Sequence, residues 1–154
     1  MDAIDRKILA LLQEDATLPI ERVADRVGLS PSPCWRRIRK LEEAGVIRRR
    51  VALLDPDRMG VGTTVFVAIR TNRHDAEWAR RFCEAASRLP EVVEFYRMSG
   101  QVDYLMKVVV PDIAAYDTVY KRLIAIAELY DVSSSFAMER IKCVTALPLD
   151  YAPW

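Results

Sequence analysis

Residues 19–44 read PIERVADRVGLSPSPCWRRIRKLEEA, and this stretch decides the fold of the N-terminal third of the chain. Its apolar residues recur at helical spacing on both sides of Gly28, which can adopt the left-handed conformation that ends a helix. Ser30 then suits an N-cap, and Pro31 suits a first helical turn. A small residue where two helices cross, here Ala24, and a glycine four residues later predict a helix-turn-helix. On spacing alone, an ordinary helical hairpin is the alternative.

Positive charge is concentrated in one segment of the chain. The formal net charge is only +1, but residues 1–50 carry 11 Lys/Arg against 8 Asp/Glu, whereas residues 51–154 carry 12 against 14. Within residues 35–50 the excess is 7 against 2. The basic residues of the second helix of the pair fall on its outward face, where a solvated helix usually carries both signs. Charge therefore favours DNA binding over the ordinary hairpin.

The candidate DNA-binding residues lie on this outward face and just beyond it. Arginine side chains fork to guanine edges or phosphate oxygens, and a hydroxyl near a helix start suits a phosphate or a base edge. Trp35 has two interpretations: it stacks at the edge of the groove, or it closes the core beside Leu41 and Ile47, which is commoner for tryptophan. The predicted DNA-binding residues are Ser30, Ser32, Trp35, Arg36, Arg37, Arg39, Lys40 and Arg48.

The rest of the chain alternates strands and helices. After Gly45 the pattern becomes extended, which predicts a connector strand at 46–54 that ends in the turn Asp55-Pro56-Asp57. Beyond it the order is β-α-β-β-α-β, the ferredoxin-like arrangement, in which both helices cover one face of a mostly antiparallel sheet. The predicted strands are 63–71, 92–98, 104–110 and 132–147, and the predicted helices begin near Asp75 and Asp112.

The fold class predicted from these patterns is α+β, a helix-turn-helix followed by a ferredoxin-like domain. The predicted domains are 1–47 for the helix-turn-helix, 48–60 for the linker strand and 61–154 for the ferredoxin-like domain. The uncovered face of the sheet carries Val65, Val67 and Ile69 or their alternates, and a second copy of the chain is the most economical cover for it.

The turn Ser99-Gly100-Gln101-Val102-Asp103-Tyr104 is a candidate ligand site. Gly100 allows a backbone geometry that offers bare N–H groups to a small carboxylate, and Asp103 suits an ammonium group. Together they would hold the two charged ends of an amino acid. The alternative, which spacing alone favours, is a plain hairpin loop in which Asp103 bonds its own backbone. Ser133-Ser134-Ser135 either adds hydroxyls to the same pocket or is a surface strand.

Composition excludes several classes of protein. A chain that is 51% hydrophobic and 29% charged is globular, and no apolar run reaches the ~18 residues of a membrane span. Three distant cysteines fit neither a disulfide framework nor paired zinc ligands, and the single histidine, His74, excludes a multi-histidine metal site. We therefore expect no metal and no cofactor. The acidic N-terminus lacks the basic and apolar regions of a secretion signal, so we expect a soluble, cytoplasmic protein.

Taken together, these motifs resemble the Lrp/AsnC (feast/famine) family of prokaryotic transcriptional regulators over nearly the whole chain. No single motif is specific, but their order and spacing are. The motifs are DRKIL at 5–9, GLSPSP at 28–33, RIRKLEEAGVI at 37–47, LDP at 54–56 with Gly60, and GQVDY at 100–104.

The resemblance implies an N-terminal winged helix-turn-helix and a C-terminal ligand-sensing domain that dimerises through its sheet and often forms octamers of four dimers. It also implies that a small amino acid effector binds between dimers near Gly100 and Asp103 and shifts assembly or DNA affinity. The implied partners are double-stranded DNA, which the protein reads in the major groove, and further copies of the chain, with no membrane partner. The implied location is the cytoplasm, in association with the nucleoid. The effector-binding residues expected on this basis are Met98, Gly100, Asp103, Tyr104, Ser134 and Ser135.

Two other classes of function fit the same architecture. Sirohaem decarboxylases are similar in fold and size, but their chemistry would need histidine and arginine around a large tetrapyrrole. The one histidine, His74, lies in a polar segment where a solvated or capping role is expected. An amino-acid-binding module without DNA is disfavoured by the basic third helix. We therefore predict a regulator and not an enzyme.

Overall fold

The computed structural model describes residues 1–73 and 75–152. Contacts divide the chain into two compact units. The helical unit comprises Met1–Ala52 and the segment that begins at Ile141, and the sheet unit comprises Leu53–Arg140. The segment from Ile141 therefore belongs with the helical unit by its contacts, whereas its sequence pattern placed it in the predicted domain 61–154.

Three helices build the helical unit. They are α1 (Ala3–Glu14), α2 (Ile20–Val27) and α3 (Pro31–Glu43). α1 begins in a capping box: the Asp2 carboxylate accepts hydrogen bonds of 2.9 Å from the backbone N–H groups of Ile4 and Asp5, and the Asp5 carboxylate accepts one from the Asp2 N–H. Two of the amide groups that a helix start leaves without partners are thereby satisfied by short acidic side chains.

The turn between α2 and α3 has the geometry that its sequence predicts. Gly28 has φ +74°, in the left-handed region, and the Leu29 N–H donates to the Ala24 carbonyl at 2.9 Å. This is the helix-ending arrangement that favours glycine, because a side chain at that φ costs energy. α3 then starts after Ser30, with Pro31 in its first turn. The predicted helix-turn-helix is confirmed.

The core of the helical unit takes one apolar stripe from each helix. Cys34, in α3, is among its buried members, and this burial raises the pKa of the Cys34 thiol, which therefore stays protonated and apolar. The buried residues are Ile8, Leu9, Val23, Ala24, Val27, Cys34, Ile38 and Leu41.

The segment after Ile141 packs on α1. The Gln13 amide donates to the Leu147 carbonyl at 3.2 Å, and the Leu147 N–H donates to Gln13 Oε1 at 2.7 Å. Leu149, in the short 3-10 helix Leu149–Tyr151, packs against the helical core, and Asp150 forms a 3.5 Å ion pair with Arg6. The described part of this segment, residues 141–152, is therefore a structural part of the helical unit.

The sheet unit has the predicted ferredoxin-like order. Its elements are β1 (Thr63–Arg70), α4 (Ala76–Ala86), β2 (Val92–Arg97), β3 (Tyr104–Val110), α5 (Ile113–Ile126) and β4 (Asp131–Phe136). Among the described residues these strands form one sheet in the order β2-β3-β1-β4, with antiparallel pairing throughout. The α+β fold class is therefore confirmed.

The two faces of the sheet differ in what covers them. Val65, Val67 and Ile69 of β1 are buried in the same core as side chains of α4 and α5, so these residues face the helices. Their alternates, among them Phe66 and Ala68, lie on the opposite face, and Phe66 is partly exposed there. The alternates are therefore the residues that need a cover.

Two predicted strands differ from the structure. The predicted strand at 132–147 ends at Phe136, because its neighbour β1 begins at Thr63 and offers no further backbone after the Ala137 N–H has bonded the Thr64 carbonyl. The apolar residues beyond it are then largely exposed: Met138 at 97% and Ile141 at 91%. The predicted connector strand at 46–54 is wrong, since this segment pairs with no strand in the described chain.

Among the described residues, no helix combines the length and the apolarity that crossing a bilayer requires.

Candidate nucleic-acid interface and ligand site

The outward face of α3 is the candidate nucleic-acid interface. Because Cys34, Ile38 and Leu41 turn one side of α3 into the core, its other side faces solvent. Arg36 and Lys40 are exposed on that side, and among the described residues neither forms an ion pair. Ser32 is exposed on the same face. Two cations and a hydroxyl are therefore available to phosphate oxygens or base edges.

The start of α3 presents a further hydroxyl. Ser30 occupies the N-cap position with an extended backbone, and within the described chain its side chain makes no capping hydrogen bond. The backbone carbonyl of Ser30 accepts instead from the Cys34 N–H at 3.2 Å. The Ser30 hydroxyl is therefore positioned at the positive end of the helix without an internal acceptor, where anions bind well.

Trp35 and Arg39 form a contact at the edge of this face. Trp35 is 55% exposed, so the structure favours the exposed interpretation of this residue over the core-closing one. The guanidinium carbon of Arg39 lies 5.9 Å from the centre of the Trp35 ring, within the range of a cation–π contact. Arg39 also pairs with Glu42 at 3.5 Å and with Glu43 at 3.8 Å, so its charge is partly compensated.

Arg37 does not share the environment of its neighbours. Its Nη1 donates to Asp2 Oδ2 at 2.7 Å and to Asp5 Oδ1 at 2.8 Å. These hydrogen bonds raise the pKa of Arg37, while the Asp5 N–H first and Arg37 second lower the pKa of Asp2. The sequence signal for this contact is the pair of acids Asp2 and Asp5 in the first turn of α1, which lie beside the flank of α3 in the structure.

The arginines after α3 continue the positive surface. Arg48, Arg49 and Arg50 are all exposed. Arg50 pairs with Glu42 at 3.1 Å, whereas Arg48 forms no ion pair among the described residues. Glu42 therefore offsets one arginine of this run and leaves Arg48 for a phosphate.

The hairpin between β2 and β3 is the candidate ligand site. The Met98 N–H donates to the Asp103 carbonyl at 2.8 Å, which closes the loop, and Gly100 has φ +128°, which only glycine adopts easily. The Asp103 carboxylate accepts a 2.8 Å hydrogen bond from the Thr71 N–H, just beyond the end of β1. Asp103 therefore links β3 to the end of β1, and one of its oxygens is already in use.

Three other residues of the predicted ligand set have different environments. Tyr104 is buried in an aromatic cluster with Phe82 and Phe95, and this burial raises the pKa of Tyr104. The Ser134 hydroxyl hydrogen-bonds the Tyr116 hydroxyl at 2.5 Å, on the helix side of the sheet. Ser135 pairs with Phe66 in the register of β4 and β1, which puts it on the opposite side.

The sheet topology separates the predicted ligand residues within one chain. Met98, Gly100 and Asp103 belong to the β2–β3 hairpin, whereas Ser134 and Ser135 belong to β4. Asp103 stands at the start of β3, two inter-strand steps from β4, and Met98 follows β2, three steps from β4. At about 4.8 Å a step, the lateral separations from the serines are roughly 10 Å and roughly 14 Å, and Ser134 also lies two residues along β4 from the level of Tyr104. A single amino acid does not span these separations, so one chain does not bring the whole set together.

The remaining candidate ligands give no further site. Cys34, Cys83 and Cys143 are free thiols, and the described residues contain no group of three side chains that could hold a metal ion. His74 lies outside the described residues.

Sequence comparisons assign both parts of the chain. Residues 1–48 match the family model described as Winged helix-turn-helix DNA-binding, and residues 64–147 match the Lrp/AsnC ligand binding domain. The chain is 50% identical over 151 residues to the DNA-binding transcriptional activator DecR of Escherichia coli (strain K12), which covers 97% of this chain and 99% of that protein.

Solved structures agree with this assignment. An AsnC family transcriptional regulator from Agrobacterium tumefaciens superposes with a TM-score of 0.97 at 65% identity, over 99% of this chain and 100% of that chain. A transcriptional regulator from Neisseria meningitidis, solved as a complex with L-Met, superposes with a TM-score of 0.92 at 35% identity, over 97% of both chains. The chain therefore belongs to the Lrp/AsnC family of DNA-binding transcriptional regulators.

Proposed function

We propose that α3 is the recognition helix and that a dimer inserts two copies of it into successive major grooves, about 34 Å apart, on a roughly palindromic site. The observation that supports this proposal most strongly is the exposed face of α3. There Arg36 and Lys40 stand without ion-pair partners among the described residues, beside the exposed Ser32. A helix that is held by its apolar side and offers cations on the other fits the groove geometry of this motif.

The contacts divide by chemistry into base reading and backbone positioning. Arg36 and Arg39 would reach base edges or phosphates, and Trp35 would stack at the groove edge. Ser30, Lys40 and Arg48 would bind phosphates and fix the register of the helix on the duplex.

Fluorescence anisotropy of a labelled fragment from upstream of the protein's own gene tests this assignment. Arg36→Ala should cost about 1–3 kcal/mol of binding free energy and relax the sequence preference if Arg36 reads a base. Lys40→Ala should reduce binding equally on all sequences and lower the salt slope by about one if Lys40 binds a phosphate. Unchanged affinity and slope in the double variant Arg36→Ala/Arg39→Ala would exclude α3 as the recognition helix.

A small amino acid is the proposed effector, and the β2–β3 hairpin is its proposed site. The Neisseria meningitidis relative binds L-Met, and the hairpin offers the backbone of Gly100 with one Asp103 oxygen that accepts no hydrogen bond within the described chain. Since one chain keeps Ser135 away from Met98 and Ser135 lies on the uncovered face of the sheet, we propose that Ser135 reaches the ligand from another copy. Ser134 would instead hold Tyr116 on the helix side, while Tyr104 supports the hairpin from the core. The ligand would then change assembly or DNA affinity by binding one state more tightly than the other.

Titration of the twenty amino acids one by one, with sedimentation velocity and DNA anisotropy as readouts, tests the effector site. The expected result is that at least one amino acid shifts assembly or affinity, and that Asp103→Asn abolishes the shift while the chain stays folded. A shift that survives in Asp103→Asn would place the effector elsewhere.

The uncovered face of the sheet is the proposed dimer interface, with octamers as a further assembly. Phe66 and Ala68 lie on this face, and apolar side chains of this kind favour a second copy as cover. Sedimentation equilibrium of Phe66→Glu should show monomers where the unaltered chain shows dimers. We further propose that the protein acts as a regulator and not as an enzyme, in the cytoplasm and on the nucleoid.

A further inference from the structure

Arg37 connects α3 to the first turn of α1. Its Nη1 lies 2.7 Å from an Asp2 oxygen and 2.8 Å from an Asp5 oxygen. The two acids are also linked to each other, because the Asp2 N–H donates to Asp5 Oδ2 at 3.0 Å. We name the three residues Asp2, Asp5 and Arg37 the Arg37 clamp.

The helix geometry separates the role of Arg37 from that of Arg36. Consecutive residues of a helix point about 100° apart, so when Arg36 faces outward, Arg37 lies on the flank beside α1. The Asp5 side chain is only 14% exposed and that of Arg37 is 33% exposed, so the pair is shielded from part of the solvent. A phosphate would have to compete with two carboxylates for this guanidinium, whereas the Arg36 guanidinium has no such competitor among the described residues.

We propose that Arg37, expected from the sequence to bind DNA, is a positioning residue that fixes the orientation of α3 against α1 and does not contact DNA. This inference rests on the proposed role of α3 as the recognition helix. Recognition needs the side chains of Arg36 and Lys40 to be held within about 0.5 Å and 10–20° of their productive geometry, so a rotation of α3 about its own axis would misplace both. The two charge-assisted hydrogen bonds that Arg37 donates to Asp2 and Asp5, at the flank of α3, oppose that rotation.

DNA anisotropy at several salt concentrations tests the clamp with Asp5→Asn, which keeps the shape of the side chain and removes its charge. Asp25→Asn is the matched control, because it removes the same charge from an exposed position of α2. Positioning predicts that Asp5→Asn weakens binding about two- to fivefold, the scale of a partly exposed ion pair, while the salt slope stays unchanged. Asp25→Asn should bind as tightly as the unaltered chain or slightly more tightly.

Direct contact of Arg37 with a phosphate predicts the opposite signs. Asp5→Asn would then release the guanidinium and tighten DNA binding, and Arg37→Ala would flatten the salt slope by about 0.9. Positioning instead predicts that Arg37→Ala weakens binding without changing the slope, that Arg36→Ala changes both, and that Arg37→Lys restores part of the affinity. Unchanged affinity in a folded Asp5→Asn chain would also overturn the proposal, since the clamp would then be structural only.

Amide hydrogen exchange without DNA distinguishes a failure of the Arg37 clamp from a failure of the recognition-helix assignment. In Asp5→Asn, exchange should become faster in α1 and α3 and stay unchanged in the sheet unit. If no DNA fragment bound the unaltered chain, the recognition-helix assignment would fail, and the exchange data would still decide the clamp. Identical exchange in the Asp5→Asn and unaltered chains would contradict it.

Discussion

The helical unit and the sheet unit differ in how much of their stability comes from an apolar core and how much from polar contacts. Among the described residues, the helical core contains eight buried apolar residues and the sheet core thirteen, among them Trp78, Phe82 and Tyr104, whose rings are in contact. The helical unit adds polar connections between distant parts of the chain, namely the Arg37 clamp and the pairing of Gln13 with Leu147. The sheet unit also has such contacts, as between Asp103 and Thr71, but the smaller apolar core makes the helical unit depend on them more strongly.

The difference has a functional side. The proposed DNA-binding face lies in the unit whose elements are held by a small core, and such a unit can respond to small changes in its polar contacts. In the sheet unit, the apolar side chains of Phe66 and Ala68 lie on the face that the helices do not cover, where a second copy of the chain is the proposed cover. Variants in the two units should therefore differ both in size and in kind of effect.

The largest effect is expected in the sheet core. Phe82 is buried and its ring centre lies 5.1 Å from that of Trp78 and 5.2 Å from that of Tyr104. Phe82→Ala should lower the free energy of unfolding of the sheet unit by about 3–5 kcal/mol, because it leaves a cavity among rigid rings. Hydrogen exchange of the β1 and β3 amides during urea titration measures this change. The exposed Tyr151→Ala is the control, and a loss below about 1 kcal/mol in Phe82→Ala would contradict the packing account.

A smaller effect is expected where a polar contact ties the sheet together. Asp103→Ala leaves the Thr71 N–H without its acceptor and should cost about 1–2 kcal/mol of sheet-unit stability. Asp103→Asn keeps an acceptor oxygen and should cost less. Chemical denaturation of the two variants compares them directly. Equal stability of Asp103→Ala and the unaltered chain would show that Asp103 serves the ligand alone.

The connection between Gln13 and Leu147 should have a moderate effect confined to the helical unit. Gln13→Ala removes two hydrogen bonds to the backbone of the terminal segment and should cost about 0.5–1.5 kcal/mol. Exchange of the α1 amides is the readout, and Gln101→Ala in the exposed hairpin is the matched control. If both glutamine variants behaved alike, the terminal segment would not stabilise α1.

The smallest effect is expected from acidification. The Asp5 N–H and then Arg37 lower the pKa of Asp2, and Lys107 and then Tyr96 lower the pKa of Glu94. A folded-state pKa below the unfolded one contributes stability at neutral pH that is lost as the pH falls, here below about pH 4. The protection factors of the α1 amides, which are exchange rates corrected for the intrinsic effect of pH, should therefore fall in acid less steeply in Asp2→Asn than in the unaltered chain. Those of the β2–β3 amides should fall less steeply in Glu94→Gln. An acid response that neither substitution reduces would assign it to other carboxylates.

The sequence predicts the local features of both units well. Gly28 and Ser30 indicate the helix-turn-helix because turn and cap chemistry is local, and the strand and helix periods indicate the ferredoxin-like order. The sequence does not predict contacts between distant segments. The apolar pattern of 132–147 does not show that the neighbouring strand β1 begins only at Thr63, and the residues next to Arg37 in the chain do not show its acidic partners. The predicted ligand set fails to meet in one chain because strand order, and not sequence spacing, decides which loops are neighbours.

The salt dependence of DNA binding tests the central claim most directly, namely that the outward face of α3 contacts DNA. The comparison is between Arg36→Ala/Lys40→Ala on α3 and the matched pair Arg80→Ala/Arg81→Ala on α4, two exposed basic residues of the sheet unit. The account predicts that the α3 pair flattens the plot of log affinity against log salt by about 0.9 for the phosphate contact of Lys40, and by about 1.8 if Arg36 also binds a phosphate, while the α4 pair leaves it unchanged. An unchanged slope in the α3 pair, or an equal change in both pairs, would contradict it.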